Sequence, residues 1–412
     1  MKALLISANI SARMGGEAIL GYHYIRALHD LGVEFHALTH ARVRDEINDS
    51  PIRDAATFHY VEDAWPEIFL FKIGNAAPAA LRETVFNTAI GIATQTRLTK
   101  LARALENEFE FDVIHQPTPV SPQLPSFLAG LKTPVIIGPL NGAMSYPPAF
   151  EKEYAKGTAG IVSTMRSVST ISNKVIRGKR DAARILVANE RTRDGLPKGV
   201  DPNKAELLVE NGVDLNLWTP QEIQKPAIPR FVFVGRLVWW KAVELLVEAF
   251  GKLDVPAELI VIGDGPERER LEGLANQAST SERPINFTGF KPQQEIRDIM
   301  ASSTALVLPS MRECGGAVIL EAFACGAPAI ATKWGGPQDY ITPETGFLIE
   351  PDDRTRFIDG LAQAMKTLAK DQQKADAMGH AARKHVEDKF SWRAKAERML
   401  DIYKEVSNGV AQ

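Results

Sequence analysis

The chain has 412 residues, more than one compact core usually takes and comfortable for two. Hydrophobic residues make up 45% and charged residues 24%, the balance of an ordinary globular protein, and a net charge of −3 gives no field to draw it onto nucleic acid. Its two cysteines, Cys314 and Cys325, cannot build a disulfide framework and show no metal-ligand spacing, which fits a reducing, cytoplasmic setting.

Met1–Ser7 is too short an apolar run for an export signal and reads as a first buried strand, Ala3–Ser7. The loop after it carries Asn9, Arg13, Gly15 and Gly16, and a helix starts at Glu17. Two glycines ahead of a helix cradle a phosphate or simply make a tight turn, and the spacing does not choose between them. Short apolar runs follow at Val33–Leu38, Asp112–His115, Pro134–Ile137, Arg184–Ala188 and Glu206–Glu210, with helical patterns between them. His115 ends one of these runs and Asn141 stands just beyond another, where polar side chains would face an acceptor. A histidine there shuttles a proton or is a satisfied structural residue, and both readings stand.

Residues 154–180 hold Lys156, Arg166, Lys174, Arg177, Lys179 and Arg180 and no acid. One reading is an amphipathic helix in peripheral contact with the inner face of a membrane. The other is an ordinary helix packed on the first sheet, its basic face in water. Three prolines in 219–229 mark a linker. Six further runs lie at Arg230–Val234, Glu258–Ile262, Ile285–Thr288, Ala305–Leu308, Ala327–Ala331 and Gly346–Ile349. Short unalternating runs separated by helices imply parallel strands buried on both faces. The expected organisation is therefore an α/β chain of two doubly wound, Rossmann-like domains, 1–218 and 230–389. A last helical stretch, 390–412, is expected to return to the first domain.

Open parallel sheets bind ligands beyond the carboxyl ends of their strands. The strand Arg230–Val234 runs into Gly235-Arg236, and Lys241 stands where a helix begins. Cations at a helix start oppose its dipole, and a shared diphosphate would explain them. The strand Ala305–Leu308 leads to Glu313, Cys314, Gly315 and Gly316, then to a helix from Ala317 that contains Glu321. Glycines at that helix start admit a phosphate to free amides. Glu321 lies in an otherwise apolar run and needs a partner, for which sugar hydroxyls or a structural cation would serve.

Several stretches in this half resemble glycosyltransferase family 4 in their order along the chain. They are Gly235 to Leu246, Gly263-Asp264-Gly265-Pro266, Phe287-Thr288-Gly289-Phe290, Glu313 and Glu321 with seven residues between, Gly335-Gly336, and Thr345 to Ile349. The resemblance implies a GT-B fold, with two Rossmann-like domains facing a central cleft. It also implies retaining transfer of a sugar from a nucleotide-diphosphate donor to a hydroxyl acceptor, in polysaccharide, glycolipid or other glycoconjugate biosynthesis. Carried over, Arg236 and Lys241 hold the donor diphosphate, and Glu321 holds the ribose. Glu313 lies by the donor sugar, with Gly315, Gly316 and Ala317 giving backbone contacts. Gly235, Gly263 and Gly289 belong to the donor-side loops, and the loop after Phe287 to the base pocket. Gly15 and Gly16 face the donor phosphates from the other domain, while Asn9, Arg13, His115 and Asn141 are acceptor-side candidates. No cofactor or metal is expected, because protein cations take the metal's place. Two positions depart from the family pattern: Ala242 follows the lysine in place of glycine, and Cys314-Gly315-Gly316 lacks the aromatic residue often found after the first glutamate. An epimerase would need acid and base groups that are not evident. A dehydrogenase would need a Gly-x-Gly-x-x-Gly fingerprint that both first strands lack. A non-catalytic sugar-nucleotide binder and a solute-binding protein share the architecture, but for the solute-binding protein an export signal would be expected.

Overall fold

The structure is a computed structural model that describes residues 1–14, 16–76, 86–155, 172–173, 175–221, 223 and 225–409. It divides into two compact units, one of Met1–Ala143, Val162–Glu210 and Lys395–Gln412, the other of Met144–Ile161 and Asn211–Ala394.

The first unit is built on a seven-stranded sheet in the order β3-β2-β1-β4-β5-β6-β7. The strands are β1 (Lys2–Ile6), β2 (Glu34–His40), β3 (Thr57–Val61), β4 (Val113–Gln116), β5 (Val135–Leu140), β6 (Arg184–Val187) and β7 (Ala205–Leu207). All pairings are parallel. Leu4, Ile6, Leu38, Ile114, Ile137 and Ile185 pack with Leu98, Ala102 and Leu105 of the helix Asn87–Glu108. Helices cover both faces of the sheet, so its central strands carry no alternating polar face. The expectation from sequence lacked β3. It is an edge strand whose first four residues are partly or fully exposed, and His59 and Tyr60 interrupt its apolar run.

The second unit holds a six-stranded parallel sheet in the order β10-β9-β8-β11-β12-β13. Its strands are β8 (Arg230–Val234), β9 (Glu258–Ile262), β10 (Ile285–Gly289), β11 (Ala305–Leu308), β12 (Ala329–Thr332) and β13 (Gly346–Ile349). Phe231, Phe233, Phe250, Leu306 and Phe323 are wholly buried at its centre. In each unit the strand order reverses once, at β1/β4 and at β8/β11. Connections leave to opposite faces there and open a crevice beyond the strand ends.

The unit boundaries differ from those read out of composition. Residues 144–155 belong to the second unit because its side chains hold their backbone. The Trp334 indole donates to the Ser145 carbonyl at 2.8 Å, and the Trp239 indole to that of Tyr154 at 3.2 Å. Tyr154 donates its hydroxyl to the buried Glu244 at 2.5 Å. The stretch 211–218 joins the same unit, since Val213 N–H donates to the Phe390 carbonyl at 2.9 Å and Trp218 is buried. From Lys395 onward the last helix, Trp392–Gly409, belongs to the first unit. There Lys395 is buried and donates Nζ to the carbonyls of Val209 and Glu210.

Candidate active site

Beyond β8 the chain passes Gly235 and the exposed Arg236, then makes one 3-10 turn, Trp239–Lys241, before the helix Val243–Gly251. Met311 N–H donates to the Trp240 carbonyl at 2.9 Å, which ties this turn to the loop after β11. The two switch-point loops are thereby fixed side by side, and Lys241 forms an ion pair with Glu313 72 residues away. Their side chains are only 17% and 13% exposed. Ser310, wholly buried and not singled out by sequence, donates Oγ to the same carboxylate at 3.4 Å. Arg236 pairs with no acid among the described residues. One of the two expected diphosphate ligands is thus held by a carboxylate, and the other is free.

Ala242 joins the turn to the helix in the left-handed region, at φ 51° and ψ 38°, and is fully buried. That conformation costs an L-residue roughly 1–2 kcal/mol. Replacing the family's usual glycine here therefore places strain next to Lys241.

The helix Ala317–Ala324 starts at Gly316, whose φ of 71° and ψ of 42° are left-handed, and no side chain caps it. Its first amides are available to an anion. Glu321 lies further along the helix, half-buried, with no partner among the described residues, and desolvation pushes its carboxyl up to about 7.

The glycines divide by role. A Cβ on Gly263 would stand 1.9 Å from the Gly235 carbonyl, and one on Gly336 2.4 Å from that of Cys314. These residues let loops touch backbone to backbone. Gly289, with φ of 72°, lies under the Arg268 guanidinium, and Phe290 beside it is 86% exposed at the end of β10.

In the first unit, the loop after β1 is organised around an acid that sequence did not reveal. Glu46 accepts from Ser11 Oγ at 2.6 Å, Ala12 N–H at 2.9 Å and Arg13 N–H at 3.0 Å. The loop does bind an anion through its amides, but in this state the anion is a side chain of the protein. Arg13 is exposed, and Asn9 Oδ1 is buried without a hydrogen-bond partner among the described residues. Gly16 is exposed with open space over its Cα, whereas Gly15 lies outside the described residues.

Residues 220–385 match the family described as Glycosyl transferases group 1. The alpha-maltose-1-phosphate synthase of Mycolicibacterium smegmatis is 28% identical over 58% of this chain and 67% of its own length. The sulfoquinovosyl transferase of Arabidopsis thaliana is 34% identical over 50% and 41%. The N-acetyl-alpha-D-glucosaminyl L-malate synthase of Bacillus anthracis is 34% identical over 50% and 54%. The aligned stretches thus span only 41% to 67% of these relatives. Among solved structures, the sucrose-phosphate synthase of Thermosynechococcus elongatus superposes with a TM-score of 0.69 at 21% identity, covering 99% of both chains. Anabaena HepE in complex with UDP-glucose superposes at 0.64 and 16% identity, covering 98% of this chain and 100% of its own. The fold is GT-B, with two Rossmann-like units.

Two acceptor-side expectations for this glycosyltransferase fold do not survive. His115 is completely buried, with Nε2 2.7 Å from the Gly138 carbonyl and Nδ1 2.7 Å from the Tyr403 hydroxyl. The rings of Tyr24 and Tyr403 close over it edge-on. Both nitrogens are used, so it has nothing to offer a substrate and serves packing rather than catalysis. Asn141 is 4% exposed and donates Nδ2 to the buried Glu210 at 2.6 Å, turned away from solvent. Most of 154–180 lies outside the described residues. Within it, Lys179 is no solvated charge: it is 3% exposed and donates to the Pro122 carbonyl at 2.7 Å. Among the described residues no helix is long and apolar enough to cross a membrane.

Burial holds the His115 imidazole down at about 4, against an ordinary value near 6.5. The unfolded chain therefore binds this proton first. The stability that neutral His115 gives is complete above pH 6.5 and is lost as the pH falls towards 4, by about 3 kcal/mol in all. Burial also lowers His36, His40, His59 and His385, which add to the same slope. In urea titrations between pH 7 and 4, His115→Gln is expected to remove His115's share of the slope, while the other histidines keep theirs. A slope identical to wild type would assign the acid sensitivity elsewhere.

Proposed function

We propose that the protein transfers a glycosyl group, with retention at the anomeric carbon, from a nucleotide-diphosphate sugar to a hydroxyl acceptor of a saccharide, glycolipid or other glycoconjugate. The observation that carries this reading is the ion pair of Lys241 with Glu313 beside the uncapped helix start at Gly316, with the exposed Arg236 in the same loop as Lys241. Charge grows on the diphosphate as the glycosidic bond breaks. Two cations and a row of amides at the strand ends would stabilise it with little reorganisation. Lys241 would move from Glu313 to the phosphates, which frees the carboxylate to face the sugar. Glu321 would accept from the ribose hydroxyls, giving its buried charge the donors it lacks.

The test is turnover of a panel of radiolabelled nucleotide sugars, with the product anomer read by proton NMR, in buffer containing excess chelator. Transfer or slow hydrolysis of one donor, with an α product from an α donor, is expected to persist under chelation. Loss of turnover that magnesium or manganese restores would overturn the assignment of metal's role to Arg236 and Lys241. No binding of any nucleoside diphosphate would remove the transferase reading.

Peripheral contact with a membrane is also proposed through the helix Trp65–Ala76. Its Trp65, Phe69 and Phe71 are 73%, 47% and 60% exposed. Aromatic side chains on one helix in water favour an interface of lower polarity. The protein is expected to sediment with liposomes and to lose that property on Phe71→Asp. Equal sedimentation of both proteins would leave this helix without a membrane role.

A further inference from the structure

The departure at Cys314-Gly315-Gly316 leaves room that another part of the chain fills. A Cβ on Gly315 would stand 2.2 Å from Asn211 Nδ2, closer than real atoms approach. The Asn211 amide therefore lies over the backbone of the loop where any larger residue at 315 would begin. It is fixed there by donating Nδ2 to the Tyr340 hydroxyl at 3.2 Å, and Tyr340 is 1% exposed. Its carbonyl oxygen has no partner among the described residues, and the residue is only partly buried. The other side of the same loop is closed by Gly335 and Gly336: Gly336 N–H donates to the Glu313 carbonyl at 2.8 Å, and a Cβ at 336 would meet the carbonyls of both Cys314 and Gly315. The loop is thus clamped between a glycine pair and one amide, with Glu313 at its start and the open helix amides at its end.

We propose that Asn211 is a specificity residue for the transferring sugar, presenting its free carbonyl oxygen to a sugar hydroxyl above Gly315. This rests on the glycosyl-transfer reading of the site. A side chain at 315 would supply apolar surface to the sugar. Glycine with an asparagine over it supplies a directional acceptor instead, and a single hydroxyl in the wrong orientation leaves that acceptor unpaired. Gly315 and Asn211 act as one unit, because the amide can sit there only if position 315 has no side chain.

The experiment compares wild type, Asn211→Ala, Asn211→Asp, Gly315→Ala and the double variant Asn211→Ala/Gly315→Ala. Each is checked by thermal melting and by calorimetry with free nucleoside diphosphate. For Asn211→Ala, the nucleoside diphosphate Kd is expected to stay within twofold. The kcat/KM ratio between the preferred donor and its epimers should fall about tenfold, the worth of one neutral hydrogen bond. Gly315→Ala alone should lose most activity and regain it in the double variant, since the clash is with the amide that the second change removes. An unchanged epimer ratio in a folded Asn211→Ala or Asn211→Asp overturns the proposal, as does failure of the double variant to recover. A wild-type protein that turns over no nucleotide sugar overturns the transferase reading first. Activity with an unmoved epimer ratio overturns only the role of Asn211.

Discussion

Glu313→Gln is expected to lower kcat by about two to three orders of magnitude, the usual loss when one preorganised electrostatic group is removed from a transition state. The donor KM should change little. In the proposed mechanism positive charge grows on the sugar as its bond to phosphate lengthens, so a carboxylate beside it helps more in the transition state than before it. Glutamine keeps the shape and the contact with Ser310 but not the charge. The pairing of Glu313 with Lys241 adds a second consequence. Without the carboxylate, Lys241 has no partner to leave, so free nucleoside diphosphate should bind Glu313→Gln more tightly than wild type. Lys241→Ala should do the reverse, weakening nucleoside diphosphate by about one to two orders of magnitude for a lost charge-assisted bond. The double variant should show strong coupling, because each single change alters what the other residue faces. Steady-state kinetics and calorimetry on the four proteins decide the matter. A Glu313→Gln enzyme with normal kcat and a raised KM would place this carboxylate on the nucleotide rather than on the sugar.

What could be read from sequence follows the range of the interactions involved. All six strands of the second unit were legible: the inner strands β8, β9, β11 and β12 are mostly buried and announce themselves as short apolar runs, and the edge strands β10 and β13, with one buried residue each, still carry apolar residues beside a glycine. The edge strand β3 was not, since His59 and Tyr60 break its apolar run. The loop after β8 was legible as chemistry because cations at a helix start oppose its dipole, and the loop after β11 because two glycines open a helix that carries a carboxylate in an apolar run. The pairing of Lys241 with Glu313 was not, because it depends on a tertiary contact through Met311 and Trp240. His115 and Asn141 stood at strand ends, where sequence places ligands. What fills that space at His115 is Tyr403, 288 residues away on the last helix. Gly263 shows the limit most plainly: a glycine that lets two loops touch and a glycine that admits a phosphate are the same letter. Ala242 is the converse case. Its departure from the family pattern is visible in sequence and acquires meaning only with its positive φ.

Glu321→Gln is expected to stabilise the ligand-free protein while weakening its hold on the donor. Desolvation raises the Glu321 carboxyl to about 7 from an ordinary 4.5, and no described residue compensates the charge. The folded pKa lies above the unfolded one. The stability this group contributes is therefore fully present below pH 4.5 and is lost as the pH rises through 7. At pH 8 the ionised carboxylate costs the fold up to about 3 kcal/mol relative to its neutral form, and glutamine, which never ionises, avoids that cost. The melting temperature of Glu321→Gln should exceed that of wild type at pH 8 and match it near pH 5. The donor tells the other half. Ribose hydroxyls would supply the missing partners, and a charge-assisted hydrogen bond of about 1.5–3 kcal/mol would be lost with the charge. The ribose is far from the breaking bond, so the loss falls equally on ground and transition states: KM rises about ten- to a hundredfold and kcat stays comparatively intact. A destabilised variant at pH 8 would mean the carboxylate is held within the fold. A fall in kcat with KM unmoved would exchange the roles of Glu321 and Glu313. Greater stability together with weaker donor binding would mark Glu321 as a charge that the ligand-free fold tolerates for the sake of its substrate.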